Sequence, residues 1–470
     1  MIALSLDDIA AAVDGRIEPS GTEATGATVV SGAVDTDSRE LQPGGIFVAK
    51  RGEVTDGHLF ADQAVEAGAA LLLVERPLDL RVPQIVVADS VVALGLLAAE
   101  VVRRVRALGR LRIVAVTGSN GKTTTKNLLR TILERRGSTI APRGSFNNEV
   151  GAPLTMLRLT EETDFLVAEM GASGIGHIRR LVAMARPDIG VVLTVGLAHA
   201  GEFGGIESTL IAKTEMVADL LPEDTAVLNA DDFRVAGMAA ATRARILRFG
   251  RGDADVRATD VDADASGTRF TLHLPDGSAH PVAFGVLGEH HVTNALAAAA
   301  ASWTLGVPTE DIVAGLASVT RAERWRMEVL PGENVTVIND AYNASPDSMA
   351  AALKTLAQIA PGRTVAVLGQ MSELGEYSAE EHDAVGRLAV RLNIGQLVVV
   401  GAGAKGIHLA AGLEGSWDGE SVYVEDLDAA EEVVAGLLRD GDTVLVKSSN
   451  AARLRFLGDR LGELVSCRRF

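Results

Sequence analysis

The sequence predicts an α/β protein of three domains, and two general observations support this prediction. Apolar runs of strand length alternate with amphipathic helical segments along almost the whole chain, an order typical of mostly parallel sheets with helices packed on them. The length of 470 residues corresponds to about three domains of ordinary size. A basic helical segment, residues 101–112, leads into the second block, and the third block starts near Arg321. We therefore expect domains at 1–109, 110–320 and 321–470.

A glycine-rich loop between a strand and a helix is the most informative stretch of the chain. Gly118 and Gly121 let the backbone turn tightly, so that its N–H groups can surround a phosphate. Lys122 adds a positive charge, and Thr123 offers a hydroxyl to Mg²⁺. Val116 stands where the general motif has glycine, so the loop is shorter than in most phosphate-loop proteins. The nucleotide-binding residues predicted from this loop are Gly118, Ser119, Asn120, Gly121, Lys122, Thr123 and Thr124.

Apolar runs locate the strands of each domain. The predicted strands are 45–49, 70–74, 84–88, 111–116, 165–168, 189–195, 335–338, 364–368, 397–400 and 443–446. Residues 268–274 and 281–284, separated by Pro-Asp-Gly-Ser, are typical of an antiparallel hairpin. Helices are predicted at 59–67, at 206–218 and from the phosphate loop to Gly137.

Two further helices begin with recognisable capping residues. Ser345 followed by Pro346 is typical of an N-cap and a first helical residue. Ser378 and Glu381 have the spacing of a capping box. Both helices belong to the third block, which we expect to be a parallel sheet with flanking helices.

Composition restricts the class of protein. The formal net charge of −18 gives no basic surplus for binding a nucleic-acid backbone. Cys467 is the only cysteine, which excludes an internal disulfide and a thiolate-built metal site. Residues 1–17 lack the basic and apolar pattern of a secretory signal, and apolar runs such as 69–74 are too short to span a bilayer. The sequence thus predicts a cytoplasmic enzyme with no nucleic-acid partner and no membrane insertion.

Several polar residues follow predicted strands at the sheet edge where ligands bind in doubly wound folds. Glu169 and His199 are candidate metal ligands, although a solvated glutamate and a structural histidine are the ordinary alternatives. Lys213 lies in a predicted helix, where the pattern alone indicates a surface charge. Asn294 either reads an adenine edge or caps a turn. Arg326, at the join of the second and third blocks, either reaches a transferring phosphoryl group or forms an interface ion pair.

Three polar loops remain as candidate substrate sites. The loop 340–346 follows a strand and opens a capped helix, and capping alone explains its serine. The loops 35–39 and 56–58 of the first block are either binding loops or solvated turns.

A set of motifs in fixed order resembles the Mur ligase family over nearly the whole chain. The motifs are Thr117–Thr125, Ser145–Gly151, Glu169–Gly171, His199 with Gly201–Gly204, Leu228–Asp232, Gly288–Asn294 and Asp340–Pro346. The resemblance implies a central phosphate-loop ATPase-type sheet, a Rossmann-like C-terminal domain and a smaller N-terminal α/β domain. The Asp-Ala-Tyr-Asn-Ala-Ser-Pro loop, without an Asp-Asn-Pro-Arg signature, is similar to the members that add D-alanyl-D-alanine.

The resemblance also implies a reaction and its substrates. ATP would phosphorylate the terminal carboxylate of a UDP-N-acetylmuramoyl (UDP-MurNAc) tripeptide, and D-alanyl-D-alanine would attack the acyl phosphate, in peptidoglycan synthesis. The expected cofactors are ATP and two Mg²⁺ ions, and the expected state is a cytoplasmic monomer. The N-terminal domain would bind the UDP-muramyl group and the C-terminal domain the incoming dipeptide.

Residue roles follow from the motif positions. Thr123 and Glu169 resemble ligands of one Mg²⁺ ion, and His199 resembles a ligand of a second. Lys213 falls where the family often carries a carbamylated lysine that helps hold the second ion. Lys122 resembles the residue that offsets charge on the transferring phosphoryl group.

The remaining implied contacts concern the nucleotide and the two other substrates. Arg326 would meet the γ-phosphate, Asn294 the adenine and Asp340 the ribose. The residues implied for the UDP-muramyl end are Ser38, Arg39, Asn147 and Asn148, and those implied for the dipeptide are Tyr342 and Asn343.

The sequence departs from the family pattern at three places. Gln370 replaces a usual aspartate, residues 447–450 read Lys-Ser-Ser-Asn instead of Lys-Gly-Ser-Arg, and the segment after Glu169 lacks an Asn-His pair. Two competing hypotheses are a related ligase with another amino substrate, such as a folylpolyglutamate-type enzyme, and a phosphate-loop nucleotide switch. The folate branch normally lacks a first domain with the Asp-Ser-Arg and Asp-Gly-His loops found here.

Overall fold

The computed structural model describes residues 1–18, 21–52, 55–198, 201, 204–319, 323–415 and 420–467. Within these residues, the strands form three main sheets, each drawn from one stretch of the chain, and a separate two-stranded ribbon. The predicted α/β class is confirmed. In the described part of the chain, no helix is both long and apolar enough to cross a lipid bilayer.

The first sheet carries the order β2-β7-β6-β5-β4, in which only the β2–β7 pair is antiparallel. Strand β1 pairs with β3 outside it. The elements are β1 Leu4–Ser5, α1 Leu6–Ala12, β2 Arg16–Glu18, β3 Val29–Val30, β4 Val34–Asp35, β5 Ile46–Val48, α2 Ala61–Glu66, β6 Leu71–Val74, β7 Gln84–Val86 and α3 Ser90–Ala107.

The central sheet has the order β16-β15-β14-β13-β12-β11-β8-β10-β9, parallel from β9 through β14 and antiparallel over the last two pairs. Its first elements are β8 Arg112–Thr117, α4 Lys122–Leu133, β9 Thr139–Ile140, α5 Gly151–Met156, β10 Phe165–Glu169, α6 His177–Ala185, β11 Ile189–Val192 and α7 Ile206–Ala218. Its later elements are β12 Thr225–Asn229, α8 Phe233–Gly237, β13 Arg245–Gly250, β14 Val256–Asp264, β15 Gly267–His273, β16 Ala279–Phe284, α9 His290–Thr304 and α10 Thr309–Ala317. The predicted hairpin is confirmed as β15 and β16.

The third sheet has the order β17-β18-β22-β19-β20-β21 and is parallel except for the β17–β18 pair. The elements are β17 Glu328–Pro331, β18 Thr336–Asn339, α11 Pro346–Ile359, β19 Thr364–Leu368, α12 Ser378–Arg391, β20 Gln396–Val400, α13 Lys405–Glu414, β21 Ser421–Val424, α14 Leu427–Leu437, β22 Thr443–Lys447 and α15 Leu454–Cys467.

Apolar burial on both faces of the central sheet explains its continuous apolar strands. One core cluster joins α3 and the first sheet to the central sheet through residues such as Leu97 and Ile113. The opposite face is covered by α4, α9 and α10. The run Ala297–Ala301 of α9 is fully buried, and its small side chains let this helix pack closely on α4. The carboxyl ends of the central strands are thereby held at one fixed edge.

Two local predictions are wrong. The helix predicted at 101–112 ends at Ala107, and Arg112 already begins β8. The capping box at Ser378 is absent, because a 3₁₀ turn at Gly375–Tyr377 runs directly into α12. Ser378 therefore has helical dihedral angles, φ −56° and ψ −45°, whereas an N-cap residue is extended. Ser345 does cap α11, with Pro346 as the first helical residue.

Candidate active site

A cavity of about 820 Å³ lies where the carboxyl ends of the central strands face the third sheet. Its lining includes the phosphate loop, the segment 145–149, the strand-end Glu169, and Arg326 and Asp340 from beyond the join. Ligands of open α/β sheets bind at this end of the strands. The cavity is therefore the candidate active site.

The phosphate loop is fixed by its neighbours. Thr117, at the end of β8, donates its hydroxyl to the Met170 carbonyl at 2.7 Å, and the Ser119 backbone N–H donates to the Thr194 carbonyl at 2.9 Å. Gly118 and Gly121 have φ values of 155° and 83°, which L-residues with a side chain rarely adopt. Helix α4 begins directly after the loop, so the loop lies at the positive end of the helix, an arrangement that favours binding of an anion.

Lys122 is the first residue of α4, and its side chain turns back to the phosphate loop. Its Nζ donates to the carbonyls of Gly118 at 2.7 Å and Ser119 at 3.3 Å. Burial lowers the pKa of Lys122, and the positive charge of Arg326 acts in the same direction, against the opposing effect of Glu169. The ammonium group is thus held beside the loop carbonyls, where a phosphate of the nucleotide is expected to bind.

Glu169 combines burial with an unused oxygen. Its Oε1 accepts from the Thr123 hydroxyl at 3.3 Å and from Asn147 Nδ2 at 2.8 Å. Its Oε2 is buried and has no hydrogen-bond partner among the described residues, an arrangement that is costly unless a cation or donor occupies the site. Within the described residues, no group of three or more acidic, histidine or cysteine side chains gathers there, and His199 lies outside the described residues.

Lys213 is buried, so its interpretation as a surface charge is wrong. Only 2% of the residue is exposed, and it lines the cavity. Burial, with a smaller effect from Lys122, places the pKa of Lys213 well below its ordinary value. Glu215, two residues later in the same helix, is also buried and accepts from the backbone N–H groups of Gly176 and Arg179 at the start of α6.

Asn294 is part of a polar cluster under the phosphate loop. It lies inside α9, which begins at His290, so the capping alternative is wrong. Its side chain contacts His291 Nδ1 at 3.2 Å and accepts from the Thr125 hydroxyl at 3.4 Å. Burial lowers the pKa of His290 to about 4 and also lowers that of His291, so both rings are neutral near pH 7.

Arg326 is held at the join by an aromatic face and a constrained backbone. Its guanidinium lies 4.2 Å from the ring centroid of Tyr342 and 3.5 Å from Glu323. The flanking Trp325 and Met327 have φ values of 61° and 53°, a conformation that is strained for non-glycine residues. Arg326, which lines the cavity, is thus flanked on both sides by strained backbone.

At the cavity, side-chain hydrogen bonds join the described residues of the central and third domains. The hydroxyl of Tyr342 lies 2.7 Å from Ser145 Oγ. Ser345 Oγ donates to Asn120 Oδ1 in the phosphate loop at 2.9 Å. The predicted dipeptide residues Tyr342 and Asn343 both line the cavity.

Asp340 forms an ion pair that the sequence does not reveal. Lys447 Nζ lies 2.6 Å from Asp340 Oδ2 and also donates to the Asn343 carbonyl at 3.1 Å. Because the two residues are 107 positions apart, no local sequence pattern indicates their pairing. The one available signal is that Lys447 directly follows a predicted strand. Lys126, buried in α4, was also missed, and it donates to the carbonyls of Pro142 and Gly144 beside the Ser145 segment.

The predicted residues of the first domain are not brought into this cavity, whose described lining begins at Ser119. Ser38 is buried and donates to Gln63 Oε1 at 2.7 Å, and Arg39 pairs with Asp37. Asn147 and Asn148, predicted for the same substrate, do line the cavity. In the other loop, Asp56 binds the buried His58 ring at 2.6 Å, which is a structural contact.

Three family models cover most of the chain. They are described as Mur ligase family, catalytic domain, over residues 32–112, Mur ligase middle domain over 116–302, and Mur ligase, glutamate ligase domain over 325–450. A UDP-N-acetylmuramoyl-tripeptide–D-alanyl-D-alanine ligase of Mycobacterium bovis is 44% identical, with 98% of each chain covered.

The chain belongs to the Mur ligase family.

Solved structures of relatives share the whole fold of this Mur ligase. The MurF structure from Acinetobacter baumannii matches with a TM-score of 0.89 and 33% identity, covering 98% of this chain and 99% of that one. A MurF ligase of Thermotoga maritima in complex with ADP matches with a TM-score of 0.82 and 28% identity, covering 93% and 99%. The resemblance identified from the sequence motifs is confirmed.

Proposed function

We propose that this Mur ligase joins D-alanyl-D-alanine to a UDP-MurNAc tripeptide while ATP is converted to ADP and phosphate. The observation that carries the proposal is one cavity in which the phosphate loop faces Arg326 and Asp340 of the third sheet. The name of the Mycobacterium bovis relative supplies the two substrates, and the ADP complex of the Thermotoga maritima relative supports the use of ATP. The pentapeptide product belongs to peptidoglycan synthesis.

The reaction has two steps on one carboxylate. First, the γ-phosphoryl group of ATP passes to an oxygen of the tripeptide's terminal carboxylate, which gives an acyl phosphate and ADP. The neutral amine nitrogen of the dipeptide then attacks the acyl carbon, phosphate leaves with the electron pair of the broken C–O bond, and one proton passes from the nitrogen to the departing phosphate. Negative charge spreads over the phosphoryl oxygens in the first step, where Lys122 and Arg326 offset it.

Thr123 and Glu169 are the residues that we assign to a Mg²⁺ ion. The Thr123 hydroxyl and the unpartnered Glu169 Oε2 are oxygen donors of the kind that Mg²⁺ prefers. The ion supplies positive charge for the triphosphate when bound. His199 and Lys213 are assigned to a second ion.

Lys213 is proposed to carry a carbamate. Carbon dioxide adds only to a neutral amine, and burial favours the neutral form of this side chain by lowering its pKa. The nitrogen forms a bond to the carbon and loses one proton, which leaves an anion where the cationic Lys122 is near. With ¹³C-labelled bicarbonate, we expect a carbamate carbonyl resonance in the wild type that is absent from Lys213→Ala. A wild-type spectrum without this resonance would exclude the modification.

The other assignments rest on motif position and on the cavity lining. Asn294 is assigned to adenine and Asp340 to the ribose, since both line the cavity. The residues assigned to the UDP-muramyl end are Ser38, Arg39, Asn147 and Asn148, and those assigned to the dipeptide are Tyr342 and Asn343. A cytoplasmic monomer and the domain boundaries 1–109, 110–320 and 321–470 remain predictions.

Phosphate release from ATP and Mg²⁺ tests the function. We expect release only when UDP-MurNAc tripeptide and D-alanyl-D-alanine are both present, with a pentapeptide product by mass and complete loss on chelation of Mg²⁺. Tripeptides ending in lysine and in diaminopimelate should be compared. Release that needs neither acceptor would support the nucleotide switch, and a product only with folate and glutamate would support the other ligase branch.

A further inference from the structure

Asp347 is a cavity carboxylate that the roles assigned so far leave unused. It is the second residue of α11, directly after Pro346, and its side chain reaches across the join to the central sheet. There the carboxylate lies against Gly196, where a Cβ would collide with its Oδ2. Gly196 in turn exchanges hydrogen bonds with Ser119 of the phosphate loop, at 2.9 and 3.2 Å. Asp347 is thus placed beside the loop.

Helix capping does not explain this carboxylate. The capping box at the start of α11 is formed by Ser345 and Ser348, and the Asp347 carboxylate takes no part in it. In the part of the chain that the structure describes, the Asp347 side chain makes no hydrogen bond or ion pair. By contrast, Asp232 accepts from the Val195 backbone N–H, and Asp340 pairs with Lys447.

The surroundings of Asp347 favour a cation. The residue is exposed, and partial desolvation of its carboxyl raises the pKa of Asp347; the negative charge of Asp232 adds to this effect, and the positive charge of Arg234 opposes it. Glu381 on α12 is a further negative group close enough to interact with it. A carboxylate so placed, next to a loop that holds phosphates, is repelled by a bound triphosphate unless positive charge lies between them.

The incoming dipeptide supplies that charge. The third residue of the tripeptide and D-alanyl-D-alanine both carry an amino group, but only the dipeptide nitrogen must reach the acyl phosphate formed at the phosphate loop. We propose that Asp347 binds the ammonium group of the dipeptide and directs its nitrogen toward the acyl carbon. The nitrogen releases one proton to solvent before it attacks, and a second proton passes to the departing phosphate as the amide forms. This assignment rests on the proposed function and adds one substrate-specific contact to it.

Asp347→Asn keeps the shape of the side chain and removes its charge. We expect the KM for D-alanyl-D-alanine to rise about 10- to 100-fold, the range typical of a lost hydrogen bond to a charged group. The KM for ATP and the amount of acyl phosphate trapped in the absence of dipeptide should stay within about twofold, because the first step does not involve this contact. Asp428→Asn is the matched control, since Asp428 is also the second residue of its helix and lies outside the cavity.

An analogue without the ammonium group separates recognition of that charge from a general effect on the cavity. N-propionyl-D-alanine lacks only the amino group, so the wild type should bind it more weakly than D-alanyl-D-alanine, and Asp347→Asn should remove most of the difference. An unchanged dipeptide KM would overturn the proposal. Equal losses for ATP and dipeptide, or failure to trap acyl phosphate, would instead assign Asp347 to the nucleotide or its metal. A wild type that forms no pentapeptide would refute the proposed function itself.

Discussion

Replacing Lys122 by methionine is expected to lower kcat by about 10³-fold or more, the scale found when a charged group is removed from a phosphoryl-transfer site. Methionine keeps much of the apolar stem but cannot donate a hydrogen bond or carry charge. Lys122 is already held in place by the carbonyls of Gly118 and Ser119. Little reorganisation is therefore needed when nucleotide binds, and the loss should appear mainly in the chemical step.

The measurement is a single-turnover assay of ADP formation, combined with equilibrium binding of ATP. Lys354→Met is the control, because Lys354 is an exposed lysine of α11 and lies outside the cavity lining. It should match the wild type in both assays. A Lys122→Met enzyme with a kcat within tenfold of the wild type would contradict the assigned role.

Local sequence signals predicted the elements that local chemistry determines. The strand ending at Thr117, the two glycines and α4 form one continuous stretch, so periodicity and turn chemistry were sufficient to predict them. Ser345 and Pro346 were predicted correctly for the same reason. The strands β13 and β14 were not predicted, because their mixed polar sequences (Arg245–Gly250 and Val256–Asp264) lack a continuous apolar run.

The predictions that failed concern residues whose conformation or burial depends on tertiary contacts. Ser378 has the right spacing for a cap, but the preceding turn fixes its backbone as helical. The sequence indicates a surface position for Lys213 because its helix carries charged neighbours. The packing of α7 in the fold shows instead that Lys213 is buried. The orphaned oxygen of Glu169 and the Lys447–Asp340 pair depend on residues far apart in sequence. A single sequence contains no pattern for such contacts.

Arg326→Ala is expected to reduce kcat by about 10³-fold, as removal of an arginine that contacts a transferring phosphoryl group does, with a change of less than about fivefold in the dissociation constant of ATP. The loop, helix α4 and Lys122 can hold the nucleotide without Arg326, which approaches from the third sheet. Its positive charge acts mainly as negative charge develops on the phosphoryl oxygens. The effect should therefore fall on turnover and leave nucleotide binding largely intact.

Arg324, two residues before Arg326, is the matched control. Arg324 stacks on Trp325 at 4.5 Å and pairs with Asp459 at 2.9 Å, yet it does not line the cavity. Arg324→Ala should cost at most about 1 kcal/mol of stability, as for an exposed ion pair, and should leave kcat unchanged. Thermal unfolding, ATP binding and single-turnover ADP formation on both variants distinguish the two arginines. Equal losses of nucleotide binding and turnover in Arg326→Ala would mean that this side chain organises the whole join, with no specific action on the phosphoryl group.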